Sequence, residues 1–136
     1  IVRLQNLYGD GGKNYLSCIR KQRATGKTLA ADCERQIYPM WAGTAAEYLV
    51  QIGLSHWYGL WHLSVSDATT HEAFARALPG PGEVIAVPTE ELGLSKVARP
   101  SIALTCRRME MLRMPGRPTW AESLAEYLSG SAEDVF

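Results

Sequence analysis

Apolar residues recur at helical spacing in several stretches of the chain, and three of these stretches open on the same polar signal. Thr44, Thr69 and Thr119 are each followed three residues later by glutamate. In such a capping box the two side chains satisfy amide groups that the start of a helix leaves unpaired. Each apolar stretch then ends at glycine or proline, at Gly53, Pro79 and Gly130. The pattern predicts helices that begin at these three threonines.

Further helices are predicted where the apolar spacing is present without a capping box. The stretches 14–23, 28–38 and 101–114 place apolar residues on one side of a helix, and the last two end at proline. The aromatic stretch 53–66 is poor in β-branched residues, so it also favours a helix over a strand.

The clearest strand signal is residues 82–88, which are short, apolar and bracketed by turn residues. The first eight residues either pair with this strand or form a helical turn.

The length of 136 residues is typical of one domain, and the content of 46% hydrophobic and 21% charged residues argues against disorder. We therefore expect a mainly α, compact single domain over 1–136. It should have five to seven short helices, at most a small β element around 83–88, and a turn between sub-halves at 79–82.

The helical spacing also predicts which side chains form the core. These are the apolar residues on the inward faces of the predicted helices: Leu49, Ile52, Trp57, Leu60, Trp61, Phe74, Leu78, Ile102, Cys106, Met109, Leu112, Leu124 and Leu128.

Positive charge is concentrated in two segments, although the formal net charge is +0. Residues 11–28 contain five cations and no acid, and residues 96–117 contain six cations against Glu110. Such segregation predicts a polarised surface, unless folding intermixes the cations with acidic segments. The predicted nucleic-acid-binding residues are Arg20, Lys21, Arg23, Lys27, Lys96, Arg99, Arg107, Arg108, Arg113 and Arg117.

Residues 89–113 have the outline of a helix-turn-helix. Thr89 to Leu92 would form a short first helix, Gly93 the turn, and a second helix would bear Arg107 and Arg108. A recognition helix of this kind presents cations to phosphates and guanine edges in the major groove. The leading hypothesis is a small regulatory nucleic-acid-binding protein, such as a DNA-binding transcription regulator, whose binding weakens with salt.

Two other classes of function stay open. A protein-interaction adaptor would use the same polarised surface, together with the adaptable methionines of 109–114. An enzyme would use Cys18, whose cationic surroundings favour the thiolate, with His56, His62 or His71 as the base. No nucleophile motif supports the enzyme, so a protein without catalytic activity is the expectation.

No cofactor and no metal are predicted. The sequence ATGKT at 24–28 resembles the end of a phosphate-binding loop, but Lys21 stands where the first glycine is required. His56 and His62 are six residues apart, which places them on opposite sides of a helix, whereas a metal needs converging ligands.

Cellular location and partners are predicted only in outline. The three cysteines form no C-x-x-C pair, so reduced thiols in the cytoplasm are expected. No apolar run approaches ~18 residues, so no membrane partner is expected. The partner is nucleic acid or a protein, and a homodimer is compatible with the sequence. The chain opens on Ile1, which leaves open a removed targeting segment.

Overall fold

Short strands and helices are interspersed along the chain. The structure is a computed structural model and describes residues 1–93 and 103–130. Its elements in chain order are β1 (Val2–Leu4), β2 (Leu7–Tyr8), α1 (Tyr15–Ala24), β3 (Leu29–Asp32), β4 (Gln36–Ile37), β5 (Met40–Trp41), α2 (Ala42–Leu54), β6 (Trp61–Leu63), β7 (Thr69–Thr70), α3 (His71–Ala77), β8 (Val84–Val87), α4 (Arg107–Met111) and α5 (Trp120–Gly130). Three of the four strand pairs are parallel. The fold is therefore α/β, and the mainly α prediction is wrong.

The described residues form two compact units. The first, unit 1, comprises residues 1–9, 38–68 and 103–130, and the second, unit 2, comprises residues 10–37 and 69–93. The segment 79–82 lies within unit 2, where it joins α3 to β8. The single-domain expectation stays a prediction.

Unit 1 is built on two short parallel strand pairs. Strand β1 pairs with β6, and β2 pairs with β5. Parallel strands need a crossover connection, and α2 lies on the connection that leads from β1 to β6. Trp61 and Leu63 of β6 are buried in the core of this unit. The helix predicted over 53–66 is wrong, because only its first two residues are helical and the rest includes β6.

Unit 2 is built on the parallel pair of β3 and β8. Four residues of each strand are in register, from Leu29 opposite Val84 to Asp32 opposite Val87. Strands β4 and β7 form a separate antiparallel pair. The strand predicted over 82–88 is confirmed as β8, but it pairs with β3 and not with the start of the chain. The helix predicted over 28–38 is wrong, because that segment forms β3 and β4.

The helix-start predictions have three different outcomes. At Thr119 the capping box is confirmed, since Glu122 accepts from the Thr119 amide at 2.7 Å and donates its own amide to the Thr119 hydroxyl at 3.1 Å. The helix predicted from Thr69 begins one residue later, with Thr70 as its cap. The helix predicted from Thr44 begins at Ala42. The helix predicted over 14–23 is confirmed as α1.

The helix-turn-helix prediction is wrong. Residues 89–93 form a turn and not a helix, although Gly93 does adopt the left-handed conformation expected of a turn glycine, with φ of +67°. Of the helix predicted over 101–114, the described part contains only α4, from Arg107 to Met111. Residues 94–102 lie outside the described residues.

The predicted core is confirmed in part. Seven of its members are buried: Ile52, Trp61, Phe74, Leu78, Cys106, Met109 and Leu124. Leu112 and Leu128 are half-buried, Ile102 lies outside the described residues, and Leu49, Trp57 and Leu60 are exposed. Within residues 1–93 and 103–130, no helix has the length and apolarity needed to cross a membrane.

Candidate ligand site at the carboxyl ends of β3 and β8

Charged and polar side chains collect where the two parallel strands of unit 2 end. Asp32 is the last residue of β3 and lies opposite Val87, the last residue of β8. Thr89 follows two residues after β8, and Glu34 and Arg35 follow β3. Open α/β sheets bind ligands in the crevice outside the carboxyl ends of their strands. This edge of unit 2 is therefore its candidate ligand site.

The Asp32 carboxylate is the buried centre of this cluster. It is 2% exposed. Its Oδ1 atom accepts from the amides of Glu34 and Arg35 at 2.9 and 3.1 Å. The Thr89 hydroxyl donates to the carboxylate at 2.9 and 3.0 Å, and Arg35 Nε donates to Oδ2 at 2.6 Å. With these four donor groups around it, Asp32 organises the site and has little capacity left for a ligand.

Hydrogen bonding outweighs burial in setting the charge of Asp32. Burial alone would raise the pKa, but the donors from Glu34, Arg35 and Thr89 favour the carboxylate and lower the pKa to about 2. Asp32 is therefore ionised throughout the neutral and mildly acidic range.

Acid should weaken the fold through this residue. Because the pKa of Asp32 is lower in the folded protein than its unfolded value of about 3.9, its contribution to stability is complete above about pH 4 and lost as the pH falls through 2. We expect this loss to be of the order of 2 kcal/mol. Urea unfolding of the wild type and of Asp32→Asn between pH 5 and pH 2 measures it. If the two proteins lose stability in parallel over that range, Asp32 is not the group responsible.

Arg35 is the candidate ligand-binding group of this cluster. Its side chain is 13% exposed and forms an ion pair with Asp32. Among the described residues, the side chain has a hydrogen-bond partner only at Nε, so the other four N–H groups of the guanidinium remain available. A planar guanidinium fixed in this way matches phosphate or carboxylate oxygens in a bidentate arrangement.

Glu34 connects the two loops that form the site. Its Oε2 atom accepts from the Thr89 amide at 3.1 Å. Since Thr89 also donates to Asp32, the loop after β8 is held to the loop after β3 by both side chains. The position of Arg35 is thereby fixed by backbone and side-chain contacts from both strands.

Tyr15 and His71 lie together in the same unit. The Tyr15 hydroxyl donates to the His71 carbonyl at 3.0 Å, and their rings meet edge to face with centroids 4.4 Å apart. Burial, together with the Arg35 charge, lowers the pKa of His71, which the Asp32 charge opposes only in part. Burial and the Asp32 charge raise the pKa of Tyr15. Both side chains are therefore uncharged at neutral pH.

The predicted nucleic-acid-binding cations do not form this site. In unit 2, Arg20, Lys21 and Lys27 are exposed, whereas Arg23 is buried. In unit 1, Arg107 and Arg113 are exposed, and Arg108 and Arg117 are half-buried. Lys96 and Arg99 lie outside the described residues. The described members of the two basic segments thus belong to different units.

Several of these cations bind the protein's own carbonyl groups. Arg23 donates to the carbonyls of Ala75, Leu78, Gly80 and Gly82, which closes the connection between α3 and β8. Arg117 donates to the carbonyls of Ser64 and Val65. An arginine whose guanidinium donates to backbone carbonyls stabilises the loop or strand end that carries those carbonyls.

The three cysteines differ in their exposure to solvent. Cys18 is exposed, Cys33 half-buried and Cys106 buried, and all three are free thiols. In the part of the chain that the structure describes, no three His, Cys, Asp or Glu side chains are placed to hold a metal ion.

The sequence interpretation missed Asp32, Arg35 and Thr89. A usable signal was present, because the apolar run that ends in Asp32 is followed by Glu34 and Arg35. An acidic residue that closes a short buried strand is a common origin of a ligand site in α/β proteins.

An α/β fold with a charged cluster at the carboxyl ends of a parallel strand pair has the arrangement in which α/β proteins commonly bind ligands. The family model for the RmlD substrate binding domain matches residues 1–133, and the chain belongs to this family.

Known proteins similar to this chain come from several bacteria. The chain is 30% identical over 133 residues to the spore coat polysaccharide biosynthesis protein SpsK of Bacillus subtilis. This alignment covers 94% of the present chain and 46% of SpsK. It resembles the structure of dTDP-4-dehydrorhamnose reductase from Bacillus anthracis in complex with NADP, with a TM-score of 0.85 and 19% identity over 95% of this chain and 47% of that protein. The reductase ortholog from Clostridium acetobutylicum gives a TM-score of 0.78 and 23% identity over 96% of this chain and 48% of that protein.

These comparisons correct the functional hypothesis. The chain spans about half the length of the relatives it matches. Membership of a substrate-binding family contradicts the DNA-binding regulator, and it gives no better support to the adaptor or to the enzyme built on Cys18 and histidine. The structural likenesses, at under 25% identity, establish the α/β fold alone.

Proposed function

We propose that this chain is the substrate-binding part of a sugar-nucleotide reductase that acts in polysaccharide biosynthesis. Its family and the functions of its relatives support this proposal. The single observation that carries it is the Arg35 guanidinium, fixed by Asp32 at the carboxyl end of β3 with four donors available.

A nucleoside diphosphate fits the chemistry of this site. Arg35 would bind two oxygens of the diphosphate, because a fixed guanidinium recognises phosphate in a bidentate arrangement. Asp32 would hold Arg35 in place through its bond to Arg35 Nε. Thr89 would hold Asp32 in turn, because its hydroxyl donates to the Asp32 carboxylate. The neutral Tyr15 and His71 would supply uncharged polar groups for the remainder of the ligand.

A nicotinamide cofactor does not fit the residues described here. When bound, such a cofactor supplies the hydride that reduces a keto sugar. The dinucleotide fingerprint G-x-G-x-x-G does not occur in this sequence. At the amino end of α1, Asn14 Oδ1 accepts from the Ser17 amide at 3.0 Å, so this helix start is capped by its own side chain. The role proposed for this chain is therefore substrate binding.

The expected cytoplasmic location forms part of the same proposal. It is supported by the three cysteines, all of which are free thiols.

Calorimetric titration of the 136-residue chain with dTDP tests the proposal. We expect saturable 1:1 binding that weakens as salt is raised, because a charged contact supplies much of the affinity. UDP in a parallel titration distinguishes a thymidine from a uridine nucleotide as the preferred ligand. If neither nucleotide binds to the folded chain at millimolar concentration, the proposed function is wrong.

A further inference from the structure

His71 lies beside Arg35 at the candidate ligand site. In the antiparallel pair of β4 and β7, Gln36 lies opposite Thr70. The next residues of the same register are Arg35 and His71, which places them next to each other where the strand pair ends. Burial and the charge of Arg35 both lower the pKa of His71, in agreement with this short separation. An anion bound to Arg35 would therefore lie within electrostatic range of the His71 imidazole.

The His71 side chain is packed, but one of its ring nitrogens is unpaired. The Tyr15 ring meets the imidazole edge to face with centroids 4.4 Å apart, and the Tyr15 hydroxyl donates to the His71 carbonyl at 3.0 Å. The Nδ1 atom of His71 is buried and has no hydrogen-bond partner among the described residues. Nearly all buried polar atoms in proteins are paired, so an unpaired ring nitrogen next to a candidate ligand site indicates a group that acts in binding.

Two charged side chains act on the protonation of His71 in opposite directions. Burial and the Arg35 guanidinium disfavour the imidazolium, whereas the Asp32 carboxylate favours it. On α1, Tyr15 is uncharged, because burial and the charge of Asp32 raise its pKa. On α3, Glu72 forms an ion pair within its own helix. The free protein therefore holds His71 neutral, and an anion that offsets the Arg35 charge removes most of the electrostatic cost of the imidazolium.

We propose that His71 is a second phosphate-recognition group of this site and that its imidazole takes up one proton when a sugar nucleotide binds. The inference rests on the proposed function. The diphosphate offsets the charge of Arg35 and adds negative charge of its own, so the complex favours the imidazolium. Both ring nitrogens of an imidazolium are donors, so His71 gains a donor for the phosphate oxygens. The proton comes from the buffer and returns to it when the ligand leaves.

Proton uptake makes the affinity depend on pH in one direction. Because the bound diphosphate raises the pKa of His71, the affinity is highest below the pKa of the free protein and falls as the pH rises through the pKa of the complex. The pKa of His71 in the free protein lies below its ordinary value of 6.5, because the side chain is buried and lies near Arg35. Asp32, whose pKa is about 2, stays ionised throughout this range.

The probe that tests this inference is dTDP-glucose. Both of its phosphates are linked through two oxygens and do not titrate near neutral pH, whereas a terminal phosphate such as that of dTDP titrates near pH 6. A proton taken up with dTDP-glucose therefore belongs to the protein. His71→Gln removes the titrating group and keeps a polar side chain. His56→Asn is the matched control, because His56 is exposed in unit 1 and its φ of +57° suits asparagine.

Calorimetric titration of the folded chain with dTDP-glucose measures the pH dependence. We expect the wild type and His56→Asn to bind about fivefold more tightly at about pH 5.5 than at about pH 8, and the affinity of His71→Gln to change less than about twofold over the same range. A pH dependence that persists in His71→Gln overturns the inference.

Nuclear magnetic resonance of the His71 ring protons in the wild type gives a second, direct measurement, which decides the matter alone if His71→Gln does not fold. The pKa of His71 should rise when dTDP-glucose saturates the site. Binding of dTDP-glucose with no change in this pKa overturns the inference and leaves the proposed function intact. A folded chain that binds no nucleotide at either pH overturns both.

Discussion

Replacing Asp32 with alanine should lower the free energy of unfolding by about 3 kcal/mol or more. The substitution removes the acceptor for the amides of Glu34 and Arg35 and for the Thr89 hydroxyl. It also leaves the Arg35 guanidinium, 13% exposed, without its counter-ion. A buried charge that loses its partner is costly, because neither water nor protein replaces the lost interaction.

Urea unfolding followed by circular dichroism measures this loss. Asp10→Ala is the matched control, since Asp10 is 69% exposed and lies 3.7 Å from Arg20 in a surface ion pair. Surface pairs of this kind contribute about 0–1 kcal/mol. Equal effects of the two alanine substitutions would show that the cluster around Asp32 does not organise unit 2.

The second large effect is expected on ligand binding. Arg35→Met should weaken dTDP binding at least tenfold, because hydrogen bonds to charged groups contribute about 1.5–3 kcal/mol and each 1.4 kcal/mol is a factor of ten in affinity. Arg35→Lys keeps the positive charge but loses the planar fork, so its affinity should fall between those of the wild type and the methionine variant.

Calorimetric titration of the folded variants measures both losses. Arg76→Met is the control, because Arg76 is 54% exposed in the same unit and pairs with Glu72 one helical turn away. Its affinity for dTDP should stay within about twofold of the wild type. If the methionine variants at 35 and 76 bind equally well, Arg35 does not contact the ligand. Unfolding curves of each variant distinguish a lost contact from a lost fold.

The helices with strong end signals could be predicted, but most of the strands could not. Leu29, Cys33 and Ile37 are spaced by four residues, and this spacing keeps side chains on one side of a helix and also on one face of a strand. Strands β4 and β5 contain two residues each, which is too short to show any period. Only 82–88 combined an apolar run with turn residues at both ends.

Two of the predicted helix starts differ from the observed ones. Thr69 pairs with Ile37 in a strand, so Thr70 caps α3 and accepts from the Ala73 amide at 3.1 Å. Thr44 is the third residue of α2, so it lies inside the helix and does not cap it, and its hydroxyl donates to Glu126 at 2.6 Å. At Thr119 no such competition exists among the described contacts, and the capping box formed as predicted.

The candidate site could not be assembled from the sequence, because its parts are distant along the chain. Asp32 and Thr89 are separated by 57 residues, and only the parallel pairing of β3 with β8 brings them together. The density of positive charge predicted a binding surface at the arginines of the two basic segments. Two of these arginines, Arg23 and Arg117, instead donate to carbonyl groups of the protein itself. The arginine of the candidate site is Arg35, which lies outside both basic segments.

We propose that the carboxyl ends of β3 and β8 bind the diphosphate of a sugar nucleotide. Mapping of amide chemical shifts during titration with dTDP tests it most directly, since each amide reports on its own surroundings. We predict that the largest saturable shifts occur at Glu34, Arg35 and Thr89. Saturable shifts confined to unit 1, with these three amides unchanged, would contradict the account.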